Sequence, residues 1–238
     1  MKKRIKKIII GFLLTAVIAV MTVAAVYTLR GWRLYREALE QTPLSEAVSE
    51  IQTRASYTHL EELPPIYREA LLAAEDHRFE SHRGVDPIGI LRAVWVDVTT
   101  WSLKEGGSTL TQQLAKNMYF PMDRRPERKI AEMFLALKLE RDYGKETVLD
   151  LYINTVYYGN GYYCIYDAAK GFFGKEPSEL SDYECTMLVG IPNAPSVYNP
   201  VDNPRLAGER HRQVLKKMVR FGALTEEQAE EILNEKDS

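Results

Sequence analysis

The sequence predicts a mainly α protein, with one membrane-spanning helix followed by a helical domain. Three observations predict it. An uncharged run of 22 residues, IIIGFLLTAVIAVMTVAAVYTL, extends from Ile8 to Leu29. Beyond it, segment after segment repeats apolar residues at helical intervals, while the period-2 alternation of half-buried strands is scarce. The 238 residues are 45% hydrophobic and 27% charged, the balance of a folded chain with room for one sizeable domain besides an anchor.

Residues 1–7, MKKRIKK, hold five basic residues and no acidic one. A helix over 8–29 would be about 33 Å long, enough for a hydrocarbon core of about 30 Å. The basic cluster precedes the run, whereas Arg30, Arg33 and Arg36 beyond it are diluted by Glu37 and Glu40. The positive-inside bias therefore keeps 1–7 cytoplasmic and exports everything after Leu29. A cleaved leader is the competing reading, since Val23-Ala24-Ala25 is an acceptable cleavage context; under both readings the body works outside. Residues 30–56 read as a stalk, polar and helical from Gly31 to Glu50, and 57–238 as the domain. Without its first seven residues the chain has 26 basic and 33 acidic residues, a net −7. Such a body argues against nucleic acid, which needs a broad basic footprint.

Within the domain, Pro64-Pro65 opens a helix through IYREALLAAED, proline being tolerated in a first turn. Helical patterns continue over PIGILRAVWVDV, STLTQQLAKNMY, PERKIAEMFLALKLERDY, KETVLDLYINTVY, PSELSDYECTMLVG, PRLAGERHRQVLKKMVRF and TEEQAEEILNE. Gly106-Gly107 and Gly159 to Gly161 mark loops near a site. Cys164 and Cys185 form no CxxC pair and have no metal-ligand spacing; a disulfide and two buried thiols are both open.

Three constellations carry chemistry. The first is AEDHRFESHRG, from Ala74 to Gly84. Helical spacing sets Glu75 beside Leu71, Leu72 and Phe79, where partial desolvation would raise its pKa toward that of a general base or acid; a solvated charge run is the alternative. His77 and His82, five apart, share no helix face, so they do not make a metal pair. The second is GGSTLTQQLAKN, from Gly106 to Asn117. A glycine turn feeding a Ser/Thr-capped helix offers free N–H groups to an anion. Thr109, Gln112, Gln113 and Lys116 fall on one face and Leu110, Leu114 and Met118 on another, an arrangement that also suits an ordinary capped surface helix. The GxxxxGK[ST] spacing of a P-loop is absent. The third is RKIAEMFLALKLE, from Arg128 to Glu140, in which eight of the ten residues Ile130–Leu139 are apolar. A helix apolar nearly all round is buried, and Glu132 within it must be paired, with Arg128 one turn back, or functional.

Together these segments resemble the signature stretches of the peptidoglycan glycosyltransferases, the glycosyltransferase domain of penicillin-binding proteins (family 51 type). The resemblance continues through Tyr152-Ile153-Asn154, Gly159-Asn160-Gly161 and AAKGFFGK at 168–175, and closes with LVGIPNAPSVYNP at 188–200. It spans roughly Tyr57 to Met218. Cys164 and Tyr166 depart from the small or acidic residues usual there, and no role is assigned to them.

The resemblance implies a lysozyme-like helical domain that polymerises lipid II into β-1,4 glycan with inversion, releasing undecaprenyl diphosphate. It implies that Glu75 is the base toward the acceptor 4-hydroxyl and that Glu132 assists departure of the lipid diphosphate. Lys116, Arg124, Arg128 and Lys129 match positions that hold or surround the diphosphate, and Ser108, Gln112 and Gln113 match donor contacts. Asp76, Phe79, His82, Gly107, Thr109 and Asn117 complete the implied substrate-binding set. No cofactor is required by the sequence and no metal ligand is assigned, though a divalent cation, Mg2+ or Mn2+, could accompany the diphosphate. The expected partners are lipid II, the growing lipid-linked strand, the cell membrane and other wall-synthesis proteins. With no SxxK or KTG, the chain resembles the monofunctional members, which lack transpeptidase activity. A glycan-cleaving lytic enzyme can use the same two carboxylates and is the alternative; an inactive scaffold of the wall machinery is the third.

Overall fold

The computed structural model describes residues 2–100, 106–121 and 123–235. Among them the regular structure is helical, and the only β pairing is two isolated bridges. Helix α1, Lys2–Gln41, carries the apolar run and continues without a break into the stretch read as a stalk. Helix α2, Leu44–Gln52, is amphipathic and buries Leu44, Ala47, Val48 and Ile51. With Leu34 of α1, three of these join the main core, so the expected stalk is helical but is also part of the packed body.

Helix α3, Pro65–Glu75, starts at the double proline, and α4, Pro87–Thr100, follows a short turn. Helix α5, Leu110–Tyr119, is opened by a reciprocal cap: Gln112 N–H donates to Thr109 Oγ1 and Thr109 N–H to Gln112 Oε1, each at 3.1 Å. Helix α6, Arg128–Ile153, joins two expected helices through a bend at Gly144, whose φ of 75° suits glycine. Helix α7, Ile165–Phe173, is not among the expected helices, although Ile165, Ala168, Ala169, Phe172 and Phe173 recur at helical intervals. It is short, its N-terminus is capped by Cys164 Sγ, and it stops at left-handed Gly174. Helices α8 (Asp182–Gly190), α9 (Pro204–Arg220) and α10 (Glu226–Asn234) follow the expected pattern.

The core centres on the second half of α6, where Val148, Leu149, Leu151, Tyr152 and Ile153 are buried, with α3 packed against α8 and α9. The first half of α6 is buried on one side only. Ala131, Leu135, Ala136 and Leu139 face inward, α5 and α1 pack along it, and Leu137 is exposed. Trp32 and Tyr35 of α1 cover Phe134. Helix α4 instead presents Ile88, Leu91, Val94, Trp95 and Val98 to the outside, each more than half exposed. Cys164 and Cys185 are free, buried thiols.

Candidate active site

Glu75 is the last residue of α3, and the helix ends because Asp76 leaves helical geometry (φ −154°, ψ 71°). That termination corrects the expected greasy seat: Phe79, one turn on, belongs to a separate 3-10 turn and is buried, as is Leu71. The Glu75 carboxylate turns to polar partners instead. Gln113 Nε2 donates to Oε2 at 3.0 Å, and Arg210 of α9 approaches Oε1 at 3.3 Å. Gln113 is itself aimed: its Oε1 accepts from the Tyr152 hydroxyl at 3.3 Å. Burial, reinforced by Glu75, holds the Tyr152 phenol well above its ordinary pKa, so it stays a donor. Arg210 is braced by the Gly190 carbonyl and Gln213. Lys217 donates to the Ala74 carbonyl beside Glu75.

Glu132 is 1% exposed and paired. Arg128, one turn earlier, donates to its Oε1, as the spacing anticipated, and Lys129 reaches its Oε2 at 2.8 Å. Lys129 also donates to Ser108 Oγ at 2.7 Å, tying the glycine loop to the start of α6. A buried carboxylate with two cationic donors avoids the cost of an unpaired charge, and it fixes where those cations point.

Behind these groups lies a buried polar network. His82 Nε2 lies 2.9 Å from Asp76 Oδ2, and Asp76 accepts the Leu110 N–H at 3.1 Å. His82 Nδ1 lies 4.0 Å from Glu140, which Lys145 holds at 2.7 Å. Thr109 Oγ1 donates to the Gly84 carbonyl at 2.6 Å. Gly84 requires its glycine: φ is +74°, and a Cβ would stand 2.6 Å from the Ala136 carbonyl. The network fastens the end of α3, the start of α5 and the middle of α6 to one another.

A cleft of about 880 Å³ brings the chemistry together. Of the residues singled out in the sequence, Glu75, Ser108, Gln112, Gln113, Lys116, Arg128, Lys129 and Glu132 line it. Phe79, His82 and Thr109 do not, because they are buried in the supporting network. Asp76 and Gly107 border a small side recess. Asn117 faces a separate hollow with Tyr119 and Tyr157, and Arg124 is an exposed loop residue outside the cleft. The Gly159–Gly161 turn also lies away from the cleft, against Pro195 and Asn199. The sequence reading missed the contribution of α9: Arg210, Gln213, Lys217 and Arg220 all line the cleft. Their spacing of three, four and three places them on one helix face, a signal the sequence did contain. In all, seven basic residues, Arg92, Lys116, Arg128, Lys129, Arg210, Lys217 and Arg220, face two acidic ones, Glu75 and Glu132. Against a body of net −7, this local excess selects an anionic ligand. Among the described residues no three His, Cys, Asp or Glu side chains gather as a metal cage.

Comparison with known proteins identifies what this arrangement accompanies. The family profile described as Transglycosylase matches residues 41–219. Penicillin-binding protein 1A of Aquifex aeolicus (strain VF5) is 42% identical over 178 residues, 75% of this chain and 24% of that protein. Its namesake from Neisseria flavescens is 40% identical over 184 residues, 77% of this chain and 23% of that protein. The chain thus spans about a quarter of the length of these relatives. A crystal structure of Penicillin-Binding Protein 1A from Haemophilus influenzae matches 74% of this chain and 17% of its own, at 21% identity and a TM-score of 0.42.

Proposed function

The chain belongs to the transglycosylase family, and from that premise we propose that its cleft polymerises a lipid-linked disaccharide, lipid II, into β-1,4 glycan with inversion. The observation that carries the reading is Glu75, held from two sides, in a cleft whose other charged groups are cations apart from the neutralised Glu132. In this reading Glu75 takes the proton from the acceptor 4-hydroxyl as that oxygen attacks the donor's anomeric carbon. The C–O bond to the lipid diphosphate breaks on the opposite face, and its electrons leave with the diphosphate. Lys116, Arg128 and Lys129 receive that developing charge, with Ser108 beside them. Glu132 acts through its two cations, fixing them before the charge appears. Arg128 Nε is buried and has no acceptor among the described residues.

Purified chain incubated with lipid II tests this. Lengthening strands support transfer, whereas shortening of preformed glycan would establish a lytic enzyme and no reaction an inactive scaffold. A chelator arm tests the expected divalent cation, and pentapeptide lipid II tests for cross-linked products, of which we expect none.

The protein is membrane-anchored through α1. We propose further that residues 1–7 are cytoplasmic and the cleft lies outside. The support is the cluster of five basic residues before the span, beyond which Glu37 and Glu40 dilute the arginines. External protease should remove the body from spheroplasts; protection there would invert the topology. The exposed apolar stripe of α4 supports a second contact with the same bilayer.

A further inference from the structure

His77, two residues beyond Glu75, lines the cleft and has no part in the reaction just described. Its ring lies flat on Phe221, centroids 4.0 Å apart and planes 9° apart. On its edge, Nε2 is 3.3 Å from Arg92 NH1 of α4. A guanidinium can only donate, so Nε2 must carry the lone pair and the imidazole is neutral. Beyond Phe221, the Arg220 guanidinium stands 5.4 Å from that ring's centroid. Arg92, His77, Phe221 and Arg220 therefore form one continuous series from α4 to the end of α9, and all four border the cleft.

We propose that His77 and Phe221 form a positioning bridge that seats Arg92 and Arg220 for the phosphates of a lipid-linked substrate, and that protonation of His77 opens it. The inference rests on the glycosyl-transfer reading for the identity of the substrate. A neutral ring accepts from Arg92 and stacks on Phe221. A protonated ring has no lone pair for Arg92 and places a third positive charge between two others. The charged groups facing His77 are Arg92 from α4, Asp86 from the loop before α4, and Asp76 and Arg78 from its own loop; Phe221, from the end of α9, brings none. Both acids are already engaged, Asp76 by His82 and the Leu110 N–H, Asp86 by Arg78 at 3.0 Å. Both acids still favour a protonated ring, but their attraction is outweighed by burial and by the neighbouring cations. Burial first, and Arg92 second, hold the imidazole below its ordinary pKa of 6.5. The sign follows: the bridge is intact at neutral pH and is lost as pH falls through that lowered value.

The test compares wild type, His77→Ala and His77→Gln, the last keeping an acceptor for Arg92. The readouts are binding of farnesyl diphosphate, a soluble lipid-diphosphate probe, and kcat and KM with lipid II. His77→Ala should weaken probe binding and raise KM roughly tenfold, the scale of one charge-assisted contact, with kcat changed by less than about threefold. His77→Gln should restore most of the binding. As pH falls from neutral through the lowered value of the imidazole, wild-type binding should fall more steeply than that of His77→Gln, which cancels the probe's own ionisation. Unchanged probe binding in His77→Ala, no rescue by glutamine in a variant that melts normally, or parallel pH profiles would each overturn the bridge. The two readings separate cleanly. A wild type that binds the probe but does not extend lipid II removes the polymerase reading, and the binding data alone then decide the bridge. Polymerisation with an unaltered KM in His77→Ala removes the bridge alone.

Discussion

Glu75→Gln isolates the proton-accepting oxygen from everything else the residue does. Glutamine keeps the shape and can still accept from Arg210, but its amide oxygen is not a base. Its amide nitrogen then meets Gln113, whose amide must turn over to accept it, with the Tyr152 hydroxyl accepting in its place. The structural cost is modest. Glu75 and Arg210 have side-chain exposures of 13% and 9%, and Arg210 keeps the Gly190 carbonyl and Gln213. Exchanging a charged for a neutral hydrogen bond costs on the order of 1 kcal/mol, which lowers the melting temperature of a domain this size by about 2–4 °C. The kinetic cost is larger: a positioned base contributes roughly 10²- to 10⁴-fold, so at least about 2.7 kcal/mol is lost from the barrier. The assay is lipid II turnover by the purified variant, with a thermal melt and farnesyl diphosphate binding in parallel. We expect near-complete loss of turnover, a small drop in melting temperature and intact probe binding. Retention of more than about a tenth of wild-type turnover, short of a base's contribution, would refute the assignment of Glu75 as base.

Other expectations test the rest of the arrangement. Lys116→Ala and Arg128→Ala should each weaken lipid-diphosphate binding by roughly tenfold or more, the scale of a lost charge-assisted contact, and full activity in both would dispose of the anion seat. Lys116→Ala should melt as wild type, whereas Arg128→Ala should lose stability because it strips a cation from buried Glu132. Gly84→Ala should destabilise by about 2 kcal/mol or more, from a strained φ and a clash with α6; an unchanged melt would show that the backbone there relaxes easily. Trp95→Lys with Leu91→Lys should reduce vesicle flotation of a version lacking residues 1–29 without altering its melt, and undiminished flotation would show that α4 does not meet lipid.

What the sequence disclosed and what it withheld divide along distance in the chain. The α5 cap was legible because Thr109 and Gln112 are three residues apart, and the Arg128–Glu132 pair because it spans one helical turn. The surroundings of Glu75 were not. Its partner Arg210 lies 135 residues away, and the helix ends four residues short of Phe79, which detached Phe79 from its expected face. Asp76, Phe79, His82 and Thr109 lie in or beside the motifs, yet all four serve the network behind the cleft; spacing alone cannot separate a residue that touches a ligand from one that holds the residue that does. Helix α7 escaped notice although Ile165, Ala168, Ala169, Phe172 and Phe173 recur at helical intervals; it is only nine residues long, holds a glycine, and starts from a cysteine rather than from a usual capping residue. The polar stretch after the span looked like a free stalk because its few apolar residues are spread over two helices that fold back together.

That last feature reaches beyond the fold. Helix α1 crosses α6 so closely at Gly31 that a Cβ there would stand 2.4 Å from Ile130 Cβ, with Arg30 held by Glu127 at 3.2 Å and Trp32 edge-on to Phe134. Between Arg30 and Gln41 the helix rises about 18 Å without a hinge. It is a strut rather than a tether, so any tilt of the span is a tilt of the cleft. Under the proposed function, bilayer thickness then becomes a mechanical input to catalysis: mismatch between span and hydrocarbon tilts the anchor and swings the cleft relative to the plane in which the proposed lipid-linked substrate would lie. Turnover by the full chain should accordingly vary with the acyl length of the host vesicles. Inserting a flexible glycine pair after Leu29 should abolish that dependence, leaving the chemistry indifferent to the membrane that carries it.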